Sequence, residues 1–234
     1  MNQPPQVRNI IVIFLICVPA WVHGSAKGDS ATWCISFTPQ YLLVNCARTD
    51  VEKRLSRNNW IDLGEEFYFG NNLNWDNSAF GPTSTAKRYH TPIANDILSG
   101  AGIVVSDKIF LRPRYNGYND FYFSYGLSYS QENIGFQDNG WTTSYQSNGV
   151  IFYNYTVTNG NLNIKNYTGF MNFGIATEAD GVFHFNINIG GAYQYTKTSA
   201  SGLPASDRNY NRNIFDYAYN GLYPLLTFQF AFSF

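Results

Sequence analysis

The chain has 234 residues, of which 13% are charged and 18% aromatic, and its formal net charge is −1. About 25% of residues are charged in an ordinary soluble protein, so something other than charge must cover this surface. Lys and Arg form no run that could hold the phosphates of a nucleic acid, which is therefore excluded as a partner. The length suits one all-β domain. We expect a barrel with an apolar outer wall and aromatic belts, with a secreted, aromatic-rich β-sandwich as the alternative.

The first residues have the anatomy of a secretory signal. Arg8 lies in a short polar start, an apolar stretch runs from Ile10 to Val22, and small residues suited to cleavage follow. The apolar stretch is too short to cross a bilayer as a helix. We predict a signal peptide over residues 1–24, cleaved after Gly24 or Ala26, and one barrel domain over residues 25–234.

Two cysteines, Cys34 and Cys46, remain after this cleavage in a compartment that permits disulfides. They could bridge neighbouring strands, but a disulfide needs Cα atoms within about 7 Å, and the sequence does not establish that distance. No Cys or His pattern has the spacing of a metal site, so we expect neither a metal nor a cofactor.

Segments in which apolar and polar residues alternate predict strands. From the N-terminus they cover residues 31–37, 41–55, 60–70, 100–111, 120–130, 162–175, 182–195 and 222–234. The short connections 56–59, 112–119 and 176–181 alternate with the long ones 71–99, 131–161 and 196–221. Short periplasmic turns alternating with long outer loops are typical of bacterial membrane barrels. We therefore predict an all-β, single antiparallel up-and-down transmembrane β-barrel of eight strands.

Charged residues occupy the predicted inner face of the second and third strands. These residues are Arg48, Asp50, Glu52, Arg54, Asp62 and Glu66. Buried charges need partners, and the opposite signs favour a structural ion-pair network in the lumen. An eight-stranded barrel is just wide enough for its own side chains, so we assign no catalytic residue there.

One segment allows a second strand count. Val150, Phe152 and Tyr155 could form a strand paired with residues 161–166 across Asn159-Gly160, because an Asn-Gly step between apolar runs is a strong hairpin signal. We interpret it as an outer hairpin extending beyond the membrane. A ten-stranded barrel, which could serve as a narrow pore, is the alternative.

The last strand ends in alternating aromatic residues, Phe228, Phe230, Phe232 and Phe234. This segment resembles the terminal strand of Gram-negative outer-membrane proteins, in which a final Phe with alternating aromatics is the signal read by the barrel-assembly machinery. The whole chain also resembles small, uncharacterised outer-membrane barrels of Bacteroidota type, in which a segment like residues 47–54 follows the first strand. The resemblance implies an outer-membrane location, contact with outer-membrane lipid and the assembly machinery as a partner, and it brings no settled activity.

An enzyme is the less favoured interpretation. A lipid-modifying hydrolase would need a nucleophile with a His base close to the outer leaflet. His90 falls in a long loop and His184 lies near a predicted periplasmic turn, whereas Ser106, Ser124 and Ser128 point inward without an evident His neighbour. We expect a non-enzymatic protein, with a lipid-modifying hydrolase as the alternative.

The long loops are rich in Asn, Tyr, Ser and Gly, as in residues 71–77 and 207–213. Tyr gives rigid contact area and Asn gives adaptable hydrogen bonds, a mixture that suits binding surfaces. We expect either a structural envelope protein or a scaffold whose loops bind an extracellular glycan or protein.

Overall fold

A computed structural model describes residues 32–56, 58–71, 97–111, 120–145, 149–178, 182–202, 214 and 216–234. The predicted signal peptide, His90 and nearly all of the two Asn-rich loop segments lie outside these residues. Within the described ranges no helix has the length and apolarity needed to cross a membrane. The strands are β1 Trp33–Phe37, β2 Cys46–Arg54, β3 Asn59–Asn71, β4 Ile97–Phe110, β5 Asp120–Tyr145, β6 Ile151–Glu178, β7 Phe183–Gly202 and β8 Gly221–Ser233.

The eight strands form one closed barrel. Each strand pairs with its neighbours in sequence, and β1 closes the ring against β8 through pairs such as Cys34 with Ser233. All pairs are antiparallel. The predicted eight-stranded up-and-down barrel is confirmed. We call the end that holds the start of β1 and the end of β8 the short-turn end, and the opposite end the long-loop end.

Side chains alternate between the two surfaces of the barrel wall, as strand geometry requires. On β6, Met171 points outward and is 65% exposed, whereas Asn172 points inward and is 7% exposed. The expected apolar outer wall is confirmed on the later strands. The large apolar residues exposed on the wall include Ile61, Leu63, Ile103, Val105, Phe121, Leu127, Met171, Phe173, Ile187, Ile189, Leu226, Phe228, Phe230 and Phe232.

The predicted second strand, residues 41–55, begins too early. Pro39–Val44 instead form a 3₁₀ helix that ends at Asn45, whose φ of 55° lies in the left-handed region, and β2 starts at Cys46. Proline has no backbone N–H for a strand ladder, and Asn is one of the few residue types that visit the left-handed region readily. These two residues set the limits of the helix.

The hairpin turn predicted at Asn159-Gly160 is wrong. β5 and β6 pair continuously from Asp120 opposite Ala176 to Tyr145 opposite Ile151. Gly160 lies opposite Phe136, whose ring occupies the space that a side chain at Gly160 would need. A hairpin does extend from the barrel, but it is built from β5 and β6 themselves. The barrel accordingly has eight strands, not ten.

We call residues 136–145 and 151–159 the β5–β6 arm. As far as the described residues go, pairing of β4 with β5 ends at Gly135, and pairing of β6 with β7 ends at Gly160. Beyond these points the two strands of the arm pair with each other. The arm therefore projects past the rest of the barrel at the long-loop end.

The possible disulfide between Cys34 and Cys46 does not form. Cys34 lies opposite Glu52 on β2, six residues along that strand from Cys46. At about 3.3 Å per residue, six positions separate the two cysteines by roughly 20 Å, well beyond the reach of a disulfide.

Candidate functional site

Inward-facing side chains fill the barrel in three layers. An apolar cluster at the short-turn end contains Cys34, Trp60, Phe110, Tyr122, Ala176 and Ala231. A second cluster at the long-loop end contains Leu98, Ile134, Phe136, Leu162, Ile164, Tyr217 and Ala218, with Tyr68 packed against it. We call these the lower and upper plugs. The polar residues of the lumen lie between them.

Arg48 is the centre of the first polar cluster. Its Nη2 lies 2.9 Å from Asp50 Oδ1, and its Nη1 lies 3.6 Å from Glu66 Oε1. The same Nη1 donates to the Tyr41 hydroxyl at 3.0 Å, and the Tyr68 hydroxyl donates to Glu66 Oε2 at 2.9 Å. Because Tyr41 belongs to the 3₁₀ helix, this cluster ties the helix to the barrel wall.

Lys108 holds the second polar cluster, on the side nearer the lower plug. Its ammonium lies 2.7 Å from Glu52 Oε1 and 5.0 Å from the centre of the Tyr122 ring. Ser106 Oγ donates to Asp62 Oδ2 at 3.0 Å. Sequence analysis missed Lys108. The signal was available, because Lys108 lies two residues from Ser106 on the same inward face of β4.

The predicted ion-pair residues thus separate into distinct places. Arg48, Asp50 and Glu66 come together, and Glu52 pairs with Lys108. Arg54 lies near the short-turn end of β2, where its Nε donates to the backbone oxygen of Ser56 at 3.3 Å. The assignment of a structural role to this network stays a prediction.

A segment from the connection before β8, residues 216–220, enters the mouth of the barrel. The backbone oxygen of Tyr219 accepts hydrogen bonds from Gln194 Nε2 at 3.0 Å and Thr196 Oγ1 at 2.6 Å. Asn166 Nδ2 donates to the backbone oxygen of Tyr217 at 3.0 Å and to Glu132 Oε1 at 3.1 Å. Side chains of β6 and β7 therefore hold the segment over the polar layer.

The Tyr217 side chain completes this closure. Its hydroxyl donates to the backbone oxygen of Val44 at 3.1 Å and accepts from Asn45 Nδ2 at 3.1 Å. Burial raises the pKa of Tyr217 to about 12. The phenol is thus a neutral donor at ordinary pH. These hydrogen bonds connect the upper plug to the end of the 3₁₀ helix.

The polar layer encloses a cavity of about 110 Å³. Arg48, Glu66 and Lys108 line it together with uncharged hydroxyl and amide groups. One of these is Asn188, which accepts a hydrogen bond from Tyr122 and donates to Thr227 Oγ1 at 3.0 Å. The described residues include no group of His, Cys, Asp and Glu able to hold a metal ion. Apolar plugs lie on both sides of the cavity, which has the volume for a few water molecules.

The histidine and serine residues considered for hydrolysis occupy separate positions in the barrel. His184 is the second residue of β7 and lies opposite Ala231, at the short-turn end. The Ser106 hydroxyl donates to Asp62, and Ser124 and Ser128 line the cavity. His90 lies outside the described residues.

The wall reverses its polarity along β5 and β6. Near the short-turn end the outward residues are apolar, as at Leu127, which is 71% exposed. Farther toward the long-loop end the outward residues are Gln131 and Asn133 on β5 and Asn161, Asn163 and Lys165 on β6. Over the same stretch the inward residues become apolar, and Ile134 and Ile164 are both 0% exposed.

Three tyrosines on adjacent strands mark the level of the reversal. Tyr129, Tyr167 and Tyr195 lie opposite one another on β5, β6 and β7, and we call them the tyrosine row. The ring centres are 5.1 Å apart for Tyr129 and Tyr167, and 6.3 Å apart for Tyr167 and Tyr195. On the short-turn side of this row the outward residues of β5 and β6 are apolar, and the inward ones are mostly polar as far as the lower plug. On the long-loop side, past the inward polar residues Ser130, Glu132 and Asn166, the outward residues of β5 and β6 are polar and the inward ones are apolar.

No protein-family model and no curated protein matches the chain. Among solved structures, it is similar to Acinetobacter baumannii CarO, with 11% identity, 89% of this chain and 100% of CarO covered, and a TM-score of 0.40. A. baumannii CarO2 has 12% identity to this chain and a TM-score of 0.41, with 87% of this chain and 98% of CarO2 covered. A major outer membrane protein from Thermus thermophilus has 12% identity to this chain and a TM-score of 0.48, with 86% of this chain and 99% of that protein covered. Identity this low transfers no activity or ligand to this chain.

Proposed function

We propose that this chain is a non-enzymatic barrel of a Gram-negative outer membrane, with a sealed interior and a projecting arm that binds an extracellular glycan or protein. The polarity reversal at the tyrosine row carries the proposal. A wall that is apolar outside suits lipid, whereas one that is polar outside and apolar inside suits water. A strand pair that changes from the first pattern to the second is expected where the strands leave the bilayer and enter water.

The height of the apolar wall supports this explanation. From Tyr167 to Ile175 on β6 is eight residues, or roughly 26 Å along the strand. With a strand tilt of about 35–45°, this distance corresponds to roughly 20 Å of membrane, close to the apolar band of about 25 Å in bacterial barrels. At the short-turn end, Lys53 Nζ lies 4.8 Å from the centre of the Trp33 ring, a pair that suits the opposite membrane interface.

Two carboxylates face outward among the strand residues that the structure describes. Asp107 is near the short-turn end of β4 and accepts a hydrogen bond from the Tyr125 hydroxyl at 2.8 Å. Glu65 faces outward on β3, opposite Thr49 and Ile103. A lipid-facing carboxylate costs less than a lipid-facing Lys or Arg, so neither residue prevents insertion.

The layered interior favours a structural role over transport. The two plugs lie on either side of the small polar cavity, and the ion pairs of Arg48 and Lys108 satisfy charges that would otherwise be costly to bury. We expect flat conductance traces in planar bilayers. Stepwise currents from the purified protein would instead support the pore.

The β5–β6 arm is the binding surface that we propose. Three of its tyrosines, Tyr145, Tyr153 and Tyr155, are 75%, 65% and 59% exposed. Asn154 and Thr156 alternate with these rings on β6. Rigid aromatic rings beside small hydrogen-bonding groups are typical of surfaces that bind other molecules.

Cell fractionation and a binding screen together test the proposal. We expect the protein in the outer-membrane fraction, soluble only with detergent, and the purified barrel to bind members of a panel of extracellular glycans and proteins. Tyr153→Ser with Tyr155→Ser should abolish that binding. Leu222→Ser, at the exposed start of β8 away from the arm, is the matched control and should leave binding unchanged. Recovery of the protein without detergent, or equal binding by both variants, would contradict the proposal.

A further inference from the structure

Two lysines face each other across neighbouring strands just beyond the tyrosine row. Lys165 of β6 lies directly opposite Lys197 of β7, one outward position past the pair formed by Tyr167 and Tyr195. Directly opposed residues on antiparallel strands have Cβ atoms about 5 Å apart, and two like charges at such positions destabilise the sheet. A nearby negative charge would relieve this repulsion.

The neighbouring outward positions that the structure describes supply no such charge. Gln131 lies opposite Lys165 on β5, and the next outward residues toward the long-loop end are Asn163 on β6 and Ser199 on β7. Among the residues that the structure describes, the ion pairs of Arg48 and Lys108 lie inside the barrel, and neither Lys165 nor Lys197 takes part in one. Within the described part of the chain, the two ammonium groups therefore have no negatively charged partner on the outer surface.

The depth of the pair indicates what supplies the negative charge. Lys197 Nζ lies 5.7 Å from the centre of the Tyr195 ring, so its side chain leans toward the tyrosine row. Tyrosines in such belts lie at the level of the lipid headgroups. We propose that Lys165 and Lys197 form a site for the phosphate of a membrane-lipid headgroup in the leaflet at the long-loop end. This proposal rests on the membrane placement proposed above.

A bound phosphate would change the effect of both lysines on stability. Without it they repel each other, and with it each ammonium is attracted to the anion. A basic residue near an anionic membrane surface strengthens association by roughly 5-fold, so removing both charges should weaken binding by roughly 30-fold.

Titration of the full mature barrel in neutral detergent tests this site. The probes are diphosphorylated lipid A, the same glycolipid without its phosphates, and inorganic phosphate, with dissociation constants from native mass spectrometry. The wild type should prefer the diphosphorylated lipid to both other probes. Lys165→Gln with Lys197→Gln should lose roughly 30-fold in affinity for it. Lys53→Gln, an outward lysine at the short-turn end, is the matched control and should lose none.

The thermal unfolding temperature is a second measurement, and the proposal predicts the direction in which it changes. In neutral detergent without phosphate, Lys197→Gln should raise the unfolding temperature because repulsion is relieved, and with diphosphorylated lipid it should reduce the lipid-dependent increase. Lys165→Arg with Lys197→Arg keeps both charges and should retain binding. Three results would overturn the site: equal affinity of the double Gln variant, an equal loss in Lys53→Gln, or equal binding of the lipid without phosphates. If the barrel inserts into bilayers and any of these occurs, the lysine site alone fails. If it does not insert, the proposed function fails.

Discussion

An arginine placed on the outer wall should have a cost that depends on its position relative to the tyrosine row. Met171 is 65% exposed on the outward face of β6, four residues from Tyr167 toward the short-turn end. Four residues correspond to roughly 13 Å along the tilted strand, or about 10 Å of depth, which is close to the midplane of an apolar band of about 25 Å. Met171→Arg should therefore lower the free energy of unfolding by about 2–4 kcal/mol.

Asn163 provides the matched control on the same strand and the same outward face. It lies four residues from Tyr167 in the opposite direction, where the wall is polar, so Asn163→Arg should cost at most about 1 kcal/mol. The predicted difference of about 1–4 kcal/mol corresponds to a roughly 5-fold to nearly 1000-fold change in the folding equilibrium. Reversible guanidinium unfolding in phospholipid vesicles, followed by tryptophan fluorescence, measures both values. Equal costs for the two variants, or a larger cost for Asn163→Arg, would refute a membrane boundary at the tyrosine row.

Three further predictions concern the interior and the C-terminus. Lys108→Met should lower the free energy of chemical unfolding by about 3–5 kcal/mol because it leaves Glu52 buried without its cation. Adding Glu52→Gln should recover most of this loss. Equal stability of the single and double variants would contradict the ion pair. Tyr217→Phe should cost about 1 kcal/mol and speed amide exchange over residues 216–220. Burial raises the pKa of Tyr217 to about 12, so the contribution of the neutral phenol to folding stability is complete below the unfolded pKa near 10 and is lost as pH rises through 12. The stabilities of the wild type and Tyr217→Phe should therefore converge over that interval. A constant difference between them would argue against a stabilising role for the phenol. Phe234→Ala should reduce the assembled barrel in cell membranes while refolding of the purified protein into micelles is unchanged, and normal assembly would exclude Phe234 from the assembly signal.

The two surfaces of the wall followed from local sequence. Strand side chains alternate with a period of two, so Asp50 and Glu66 could be assigned to the interior without any knowledge of which strands are neighbours. The count of eight strands and the antiparallel order followed from the same alternation with the lengths of the connections. These features depend on residues close together in the chain.

Local turn signals were less reliable, because tertiary pairing can override them. Asn159-Gly160 has the composition of a tight turn, yet it continues β6 because Phe136 of β5 fills the space beside the glycine. The reversal of polarity was equally hidden in the sequence. Ile134 and Ile164 follow the period of a strand, and only the closed barrel shows that their apolar face points inward while Leu127 points outward.

The chain by itself therefore determined which residues alternate, how many strands cross and that the charges of Arg48, Asp50 and Glu66 lie inside. Tertiary structure alone decided which charges meet, since Glu52 and Lys108 are joined across β3 by the strand register, and it alone placed Tyr217 against Val44 across 173 positions of sequence. The physical reason is that alternation is a property of one strand, whereas register, barrel closure and the insertion of residues 216–220 depend on packing between segments far apart in the chain. The opposition of Lys165 and Lys197 belongs to this second kind of fact.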